Sequence, residues 1–340
     1  MTSVVEVHRR TARRTAAVTA VLAVAVLAVF LLALSIGDFP IALPDVVRTL
    51  FGGGTVRDDY IVLRLRLPRA LAGLLVGFAF GLSGALFQRL LRNPLASPDV
   101  IGVTAGSSLA AVLCLITLGV SGLVVPAAAL TGGLATSVLI YALAWRRGVT
   151  GHRLVLVGIG VAALAASAMS YLLTRADVRI AAQALVWITG SFNRVAWGEV
   201  RMAAVFLVVL VPAVLLLGRT LTVLELGDDA AKGLGLRVDR VRLALLALAA
   251  ALCGVATSVG GPIAFVAFLS GPIATRVLRT GRPGLVPSAL VGALVTLLAD
   301  FAAQHLLSGA HQLPVGVVTG AVGAPYLLYL LATANRGARS

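Results

Sequence analysis

The sequence predicts an all-α, polytopic membrane protein of about ten transmembrane helices. Three observations carry that expectation. Apolar residues make up 59% of the 340 and charged residues only 12%, about half the share usual in soluble domains, so the chain has too little charge to cover a water-facing surface. Apolar runs about as long as a bilayer core is thick recur along the whole chain. Basic residues fall between those runs in an order that sorts to alternate sides.

The first run follows a basic stretch over residues 1–14. It is longer than the roughly 7–15 residues of a secretory signal, so it reads as an uncleaved first helix over 16–36 behind a short tail, 1–15. Further spans are expected at 68–91, 101–119, 123–144, 154–174, 198–218, 242–260, 262–279, 285–306 and 314–333, all within one membrane domain, 1–340. Gly260, Gly261 and Pro262 separate two of these as a hairpin. Pro68 favours a helix start, where its missing N–H is not needed. Two outer segments, 37–67 and 175–197, are long enough to fold on the membrane surface, and the longest inner loop is 219–242.

Ten spans put both termini on one side. Nineteen of the 28 basic residues then share that side and nine lie opposite, which makes both ends cytoplasmic. The formal charge of +15 is therefore topological and excludes nucleic acid as the partner; membrane lipid is the surroundings. Glycines four apart (Gly73, Gly77 and Gly81; Gly102 and Gly106; Gly316 and Gly320) suit close helix packing in lipid. Cys114 and Cys253 read as small buried apolar residues.

Several chemistries are absent from the sequence. The single lysine, Lys232, precedes glycine, so there is no phosphate-cradling loop. No catalytic constellation occurs, and His305 and His311, which share an outer loop, lack the carboxylate cluster a metal site wants. Only Asp300 lies clearly inside a span, towards its outer end. One intramembrane acid is a poor basis for a proton-coupled or secondary transporter, and a membrane-embedded enzyme would need clustered catalytic groups. The chain reads as a pathway without its own engine, driven by a partner.

Two motifs stand out. Arg66-Leu-Pro-Arg69 leaves two arginines at the outer rim, equally suited to anchoring a bilayer edge and to gripping a partner's acidic side chains. On the inside, Leu224-Glu-Leu-Gly-Asp-Asp-Ala-Ala-Lys-Gly-Leu-Gly-Leu236 predicts a short helix capped by Asp228, with Asp228 and Lys232 on one face and an end at Gly233 and Gly235. Its exposed leucines suit docking of a soluble partner or rest on the membrane surface.

Together with Gly84-Ala-Leu-Phe-Gln88, Asn93-Pro-Leu-Ala96, Gly102-Val-Thr-Ala-Gly106, Trp187-Ile-Thr-Gly-Ser191, Gly261-Pro-Ile-Ala-Phe-Val266 and Leu313-Pro-Val-Gly-Val-Val-Thr-Gly320, these segments resemble the FecCD-type permeases of ABC importers for iron–siderophore, haem and cobalamin uptake. The resemblance spans about 45–331. It implies a type II ABC importer permease fold in a bacterial cytoplasmic membrane, carrying a ferric siderophore or, alternatively, haem or cobalamin. It also implies a second permease, two ATPase subunits that hold the ATP and magnesium, and an extracytoplasmic binding protein, with no cofactor on this chain. By the same resemblance Arg66 and Arg69 engage the binding protein, and Leu226, Gly227, Asp228, Asp229, Lys232 and Gly233 seat the ATPase. The spans at 154–174 and 314–333 line the pathway. Gln304 stands near a third docking arginine of some members, and Gly271-Pro272 replaces a Pro-His pair. Both departures point to the siderophore branch in which two different permeases pair.

Overall fold

The computed structural model describes residues 4–99, 102–145, 151–279, 281–305 and 312–337. Arg146, Arg147, His311 and Arg339 lie outside them. Among the described residues every regular element is helical: α1 (Val4–Ser35), α2 (Leu43–Leu50), α3 (Val56–Asp59), a π-helical segment (Tyr60–Arg66), α4 (Leu67–Leu90), α5 (Val103–Thr117), α6 (Val124–Ala144), α7 (Gly151–Arg175), α8 (Val178–Thr189), α9 (Trp197–Leu224), α10 (Asp228–Gly233), α11 (Val238–Gly260), α12 (Val266–Leu278), α13 (Leu285–His305) and α14 (Val315–Gly337).

Ten of these occupy the ten expected spans, and the two outer segments fold as α2–α3 and as α8. Among the described residues seven helices are long and apolar enough to cross a bilayer, whereas α5, α12 and the apolar stretch 315–330 of α14 are shorter. In α5 and α12 the shortening has a visible cause. Each is preceded by irregular backbone that is already buried, at Ala96, Ser97 and Pro98 before α5 and at Gly261 and Ile263 before α12. Such backbone is tolerated at membrane depth when protein surrounds it. The tail expected over 1–15 is helical from Val4 and continues into α1.

Helix α4 is the hub. It packs on α13, α11, α12 and α9, and its glycines explain how closely. A Cβ on Gly77 would come 2.5 Å from the Gly292 carbonyl oxygen of α13, and those of Gly81 and Gly84 would collide with Ser288 and Ala267. Small residues thus let backbones meet where lipid supplies no hydrophobic drive between helices. Gly106 meets Thr136 of α6 in the same way, while Gly320 faces open space.

The chain breaks at Gly261 (φ 71°) as expected, but α11 and α12 do not form a packed hairpin. Helix α12 packs chiefly on α4 and α13, and α11 on α4, α6 and α9. The break instead belongs to a junction of three segments. Ser191 N donates to Gly260 O (2.8 Å), and Gly316 N donates to Gly190 O (3.1 Å). A Cβ on Gly190 would come 2.8 Å from Pro262 O. Three of the sequence motifs therefore meet at one knot, with Phe192 fully buried beneath it.

Pro68 stands in the first turn of α4, as expected, but the backbone before it is already helical. Helical backbone runs from Val56 to Leu90, and the wide π turn Tyr60–Arg66 lies immediately before the proline. Proline cannot donate to the carbonyl four residues back, and a π turn is one way for a helix to absorb that missing bond.

Candidate functional site

One site, on the side that the basic residues mark as outer, is built by this π turn and by the ends of α1, α4 and α13 on that side. Arg66 turns towards α1. Its Nη1 donates to Leu34 O (2.8 Å) and Ser35 O (3.1 Å), and its Nη2 to Phe39 O (2.7 Å). These carbonyls end α1 and start the loop after it, where a cation is favourably placed on the helix dipole.

Arg69, one turn on, faces α13. Its Nε and Nη2 fork the Asp300 carboxylate at 3.0 and 2.8 Å, and its Nη1 donates to Gln312 Oε1 at 2.9 Å. The pair is well sheltered, with the Arg69 and Asp300 side chains 13% and 6% exposed. Gln304 Nε2 donates to Asp300 Oδ2 at 2.8 Å. Arg69 and Gln304 therefore converge on one acid, while Arg66 goes elsewhere. A crevice of about 540 Å³ opens over them, lined also by Arg57, Tyr60 and Gln312.

A second site, on the side that the basic residues mark as inner, lies at the other end of α4, some 20 residues and thus about 30 Å away. Helix α9 runs on to Leu224, and α10 follows after Gly227 (φ 116°). Asp228 is the first residue of α10 and does not cap it; Gly227 holds the cap position. The Asp228 carboxylate accepts from Arg242 of α11 at 2.8 Å, which with burial opposing holds its carboxyl below the usual range. Asp228, Asp229, Lys232 and Gly233 are exposed, and Leu226 and Leu234 stand out on either side of α10, each 67% exposed. Ala231 alone of the six α10 residues is buried.

The strongest ionic node at this end is Glu225. Arg89 Nε donates to Glu225 Oε1 at 2.6 Å, and Arg282, just before α13, pairs with Oε2. Arg89 also donates to Thr222, and Arg92 donates to Leu224 O at 2.7 Å. The inner end of α4 thereby grips the last turn of α9. Burial pushes the Glu225 carboxyl up, but the two arginines outweigh it and leave it below its usual value.

Sequence reasoning singled out both arginines and the segment Leu224–Leu236 but missed Asp300 as partner of Arg69, and missed Gln312 and the Arg89–Glu225–Arg282 node. A signal existed for the first: a lone intramembrane acid needs a counter-ion, and the motif arginines are cations at the same depth.

The comparisons agree with this architecture. The FecCD transport family model matches residues 25–333. The ferric enterobactin transport system permease protein FepG of Escherichia coli is 40% identical over 292 residues, 86% of this chain and 88% of that protein. The achromobactin transport system permease protein CbrC of Dickeya dadantii is 40% identical, over 90% and 88%, and the iron(3+)-hydroxamate import system permease protein FhuG of Bacillus subtilis 36%, over 94% and 97%. Among solved structures, an inward-facing putative metal-chelate type ABC transporter superposes with a TM-score of 0.82 over 93% of this chain and 98% of that one, at 24% identity. With a family model covering almost the whole chain and relatives of this closeness, the protein is a multi-pass membrane protein of the FecCD transport family.

Proposed function

We propose that this chain is the permease subunit of an ATP-driven importer that passes a ferric siderophore across the bacterial cytoplasmic membrane. The observation that carries the reading is 40% identity, over 86% of the chain, to a permease whose name specifies ferric enterobactin transport. The geometry suits it. An arginine-bearing crevice marks one end of α4, and an exposed short helix flanked by Leu226 and Leu234 marks the other. The basic-residue bias supports a cytoplasmic α10 and cytoplasmic termini; on this reading two ATPase subunits, which carry the ATP and magnesium, dock at Leu226–Gly233 and a binding protein docks at the crevice.

Helix α7 exposes Leu156, Ile159, Leu164 and Tyr171, and α14 exposes Val317, Val322 and Leu328. A second permease fits against these faces, with the cargo passing between. The replacement of a family Pro-His pair by Gly271-Pro272 favours a non-identical second permease.

The test is uptake of a radio-iron chelate into proteoliposomes containing the permease pair, the ATPase and the binding protein. Uptake should require ATP and all components. Uptake that persists without the ATPase would overturn the reading, and recovery of a complex holding only this permease would overturn the heterodimer.

A further inference from the structure

Between the inner halves of α1, α9 and α13 lies a groove that the fold leaves unfilled. Helices α1 and α13 pack on each other, and α9 packs on α11 and α4. The space left between them is about 790 Å³, shallow and open towards the lipid. Its walls are small or apolar, with Ala20 and Ala23 on α1, Leu215 on α9 and Leu285 on α13. The hydroxyl of Thr19, which also faces it, donates to its own helix at Thr15 O, so that wall asks for no polar ligand.

At one end the lining changes character. Arg89 and Arg219 both line the groove. Arg89 is held by Glu225 and Thr222. Arg219 is exposed and has no ion-pair partner among the described residues. The groove is therefore amphipathic lengthwise: an apolar trough that ends on a free guanidinium beside a second, occupied one.

We propose that this groove is a binding site for an anionic phospholipid of the cytoplasmic leaflet, with an acyl chain along the alanine and leucine walls and the phosphate on Arg219. A soluble anion would leave the apolar walls wet. A zwitterionic lipid would bring its ammonium group beside two arginines, whereas phosphatidylglycerol brings none. The leaflet rests on the reading that α10 faces the cytoplasm; the binding itself does not. Because Arg89 lines the same groove and holds Glu225, a headgroup here lies next to the node that fixes the end of α9 ahead of α10.

The experiment is native mass spectrometry of the purified permease alone, titrated with phosphatidylglycerol and phosphatidylcholine of identical chains. Wild type should retain phosphatidylglycerol roughly fivefold better, the gain one surface cation gives towards an anionic lipid. Arg219→Gln should bring that ratio to about one, Arg219→Lys should keep it, and Arg194→Gln, on the outer side, should not change it. Ala20→Phe, which fills the trough without altering charge, should lower retention of both lipids. A wild-type ratio near one, a ratio that survives Arg219→Gln, or retention unaffected by Ala20→Phe would each overturn the site. None of these outcomes bears on iron uptake, so failure here is distinct from failure of the transport reading.

Discussion

Arg69 and Asp300 stand 231 positions apart in the chain and form a forked ion pair that ties the outer end of α4 to α13, with Nη2 2.8 Å from Oδ1. Both side chains are nearly buried, so removing either partner strands a charge. Breaking a buried pair costs about 3–5 kcal/mol, whereas replacing both partners with apolar groups is often neutral. Asp300→Asn should therefore lower the thermal stability of the solubilised protein clearly, and Arg69→Met combined with Asp300→Leu should recover most of the loss. Equal melting of wild type and Asp300→Asn would show that the pair contributes nothing.

With Asp300 on its Nε–Nη2 edge, Arg69 has its Nη1 edge left for exchange, and the exposed Gln312 amide occupies it. On the proposed function, a carboxylate of the binding protein takes that edge, and Gln312 is what it displaces. Gln312→Glu supplies a competing carboxylate within the chain and should weaken docking by roughly ten- to a hundredfold, the worth of one hydrogen bond to a charged group. Gln312→Ala should leave docking intact or improve it. Surface plasmon resonance with the nanodisc-held complex and its binding protein decides. If Gln312 only braces the outer rim, the two substitutions should rank the other way.

Arg66 makes a different prediction from its neighbour, because its three hydrogen bonds end on backbone carbonyls of α1 and the following loop. Arg66→Gln should release those carbonyls, at about 1.5–3 kcal/mol for a charge-assisted bond. Amide hydrogen exchange over residues 32–41 should quicken while exchange at α13 stays unchanged. Unaltered exchange there, with docking lost, would make Arg66 a partner contact and not a clamp.

These side chains also mark where the sequence stops being legible. The ten spans could be read because hydropathy is local, and the outer surface helices because the segments between spans are long. Pro68 marks the first turn of α4, but the π turn that keeps the chain helical ahead of it has no signature in local propensity. The break at Gly261 was visible, yet its meaning depended on Gly190 and Gly316, far away in the chain. The cap assigned to Asp228 failed for the same reason, since Arg242 claims the carboxylate across a turn that periodicity does not describe. Local pattern locates helices and charges; which charge meets which depends on packing across the bundle.

At the inner end of α4, Glu225 supports a prediction with a defined sign. Its carboxyl is held below the ordinary value of 4.5 by Arg89 and Arg282 against the opposing effect of burial. A depressed folded-state pKa means that the unfolded chain binds the proton more readily. The stabilisation is then complete above the ordinary carboxylate value and disappears as pH falls through the lower folded one. The advantage of wild type over Glu225→Gln in thermal unfolding should accordingly be constant from about pH 8 to about pH 6 and should fade as pH falls below the ordinary carboxylate value. Arg282, more exposed than Arg89, should matter less, so Arg89→Gln should cost more stability than Arg282→Gln. An advantage that grows on acidification would reverse the sign and show that the arginines do not hold Glu225 ionised. If the node also steadies the segment ahead of α10, Glu225→Gln should reduce ATPase binding to the solubilised permease at neutral pH while leaving binding-protein affinity unchanged.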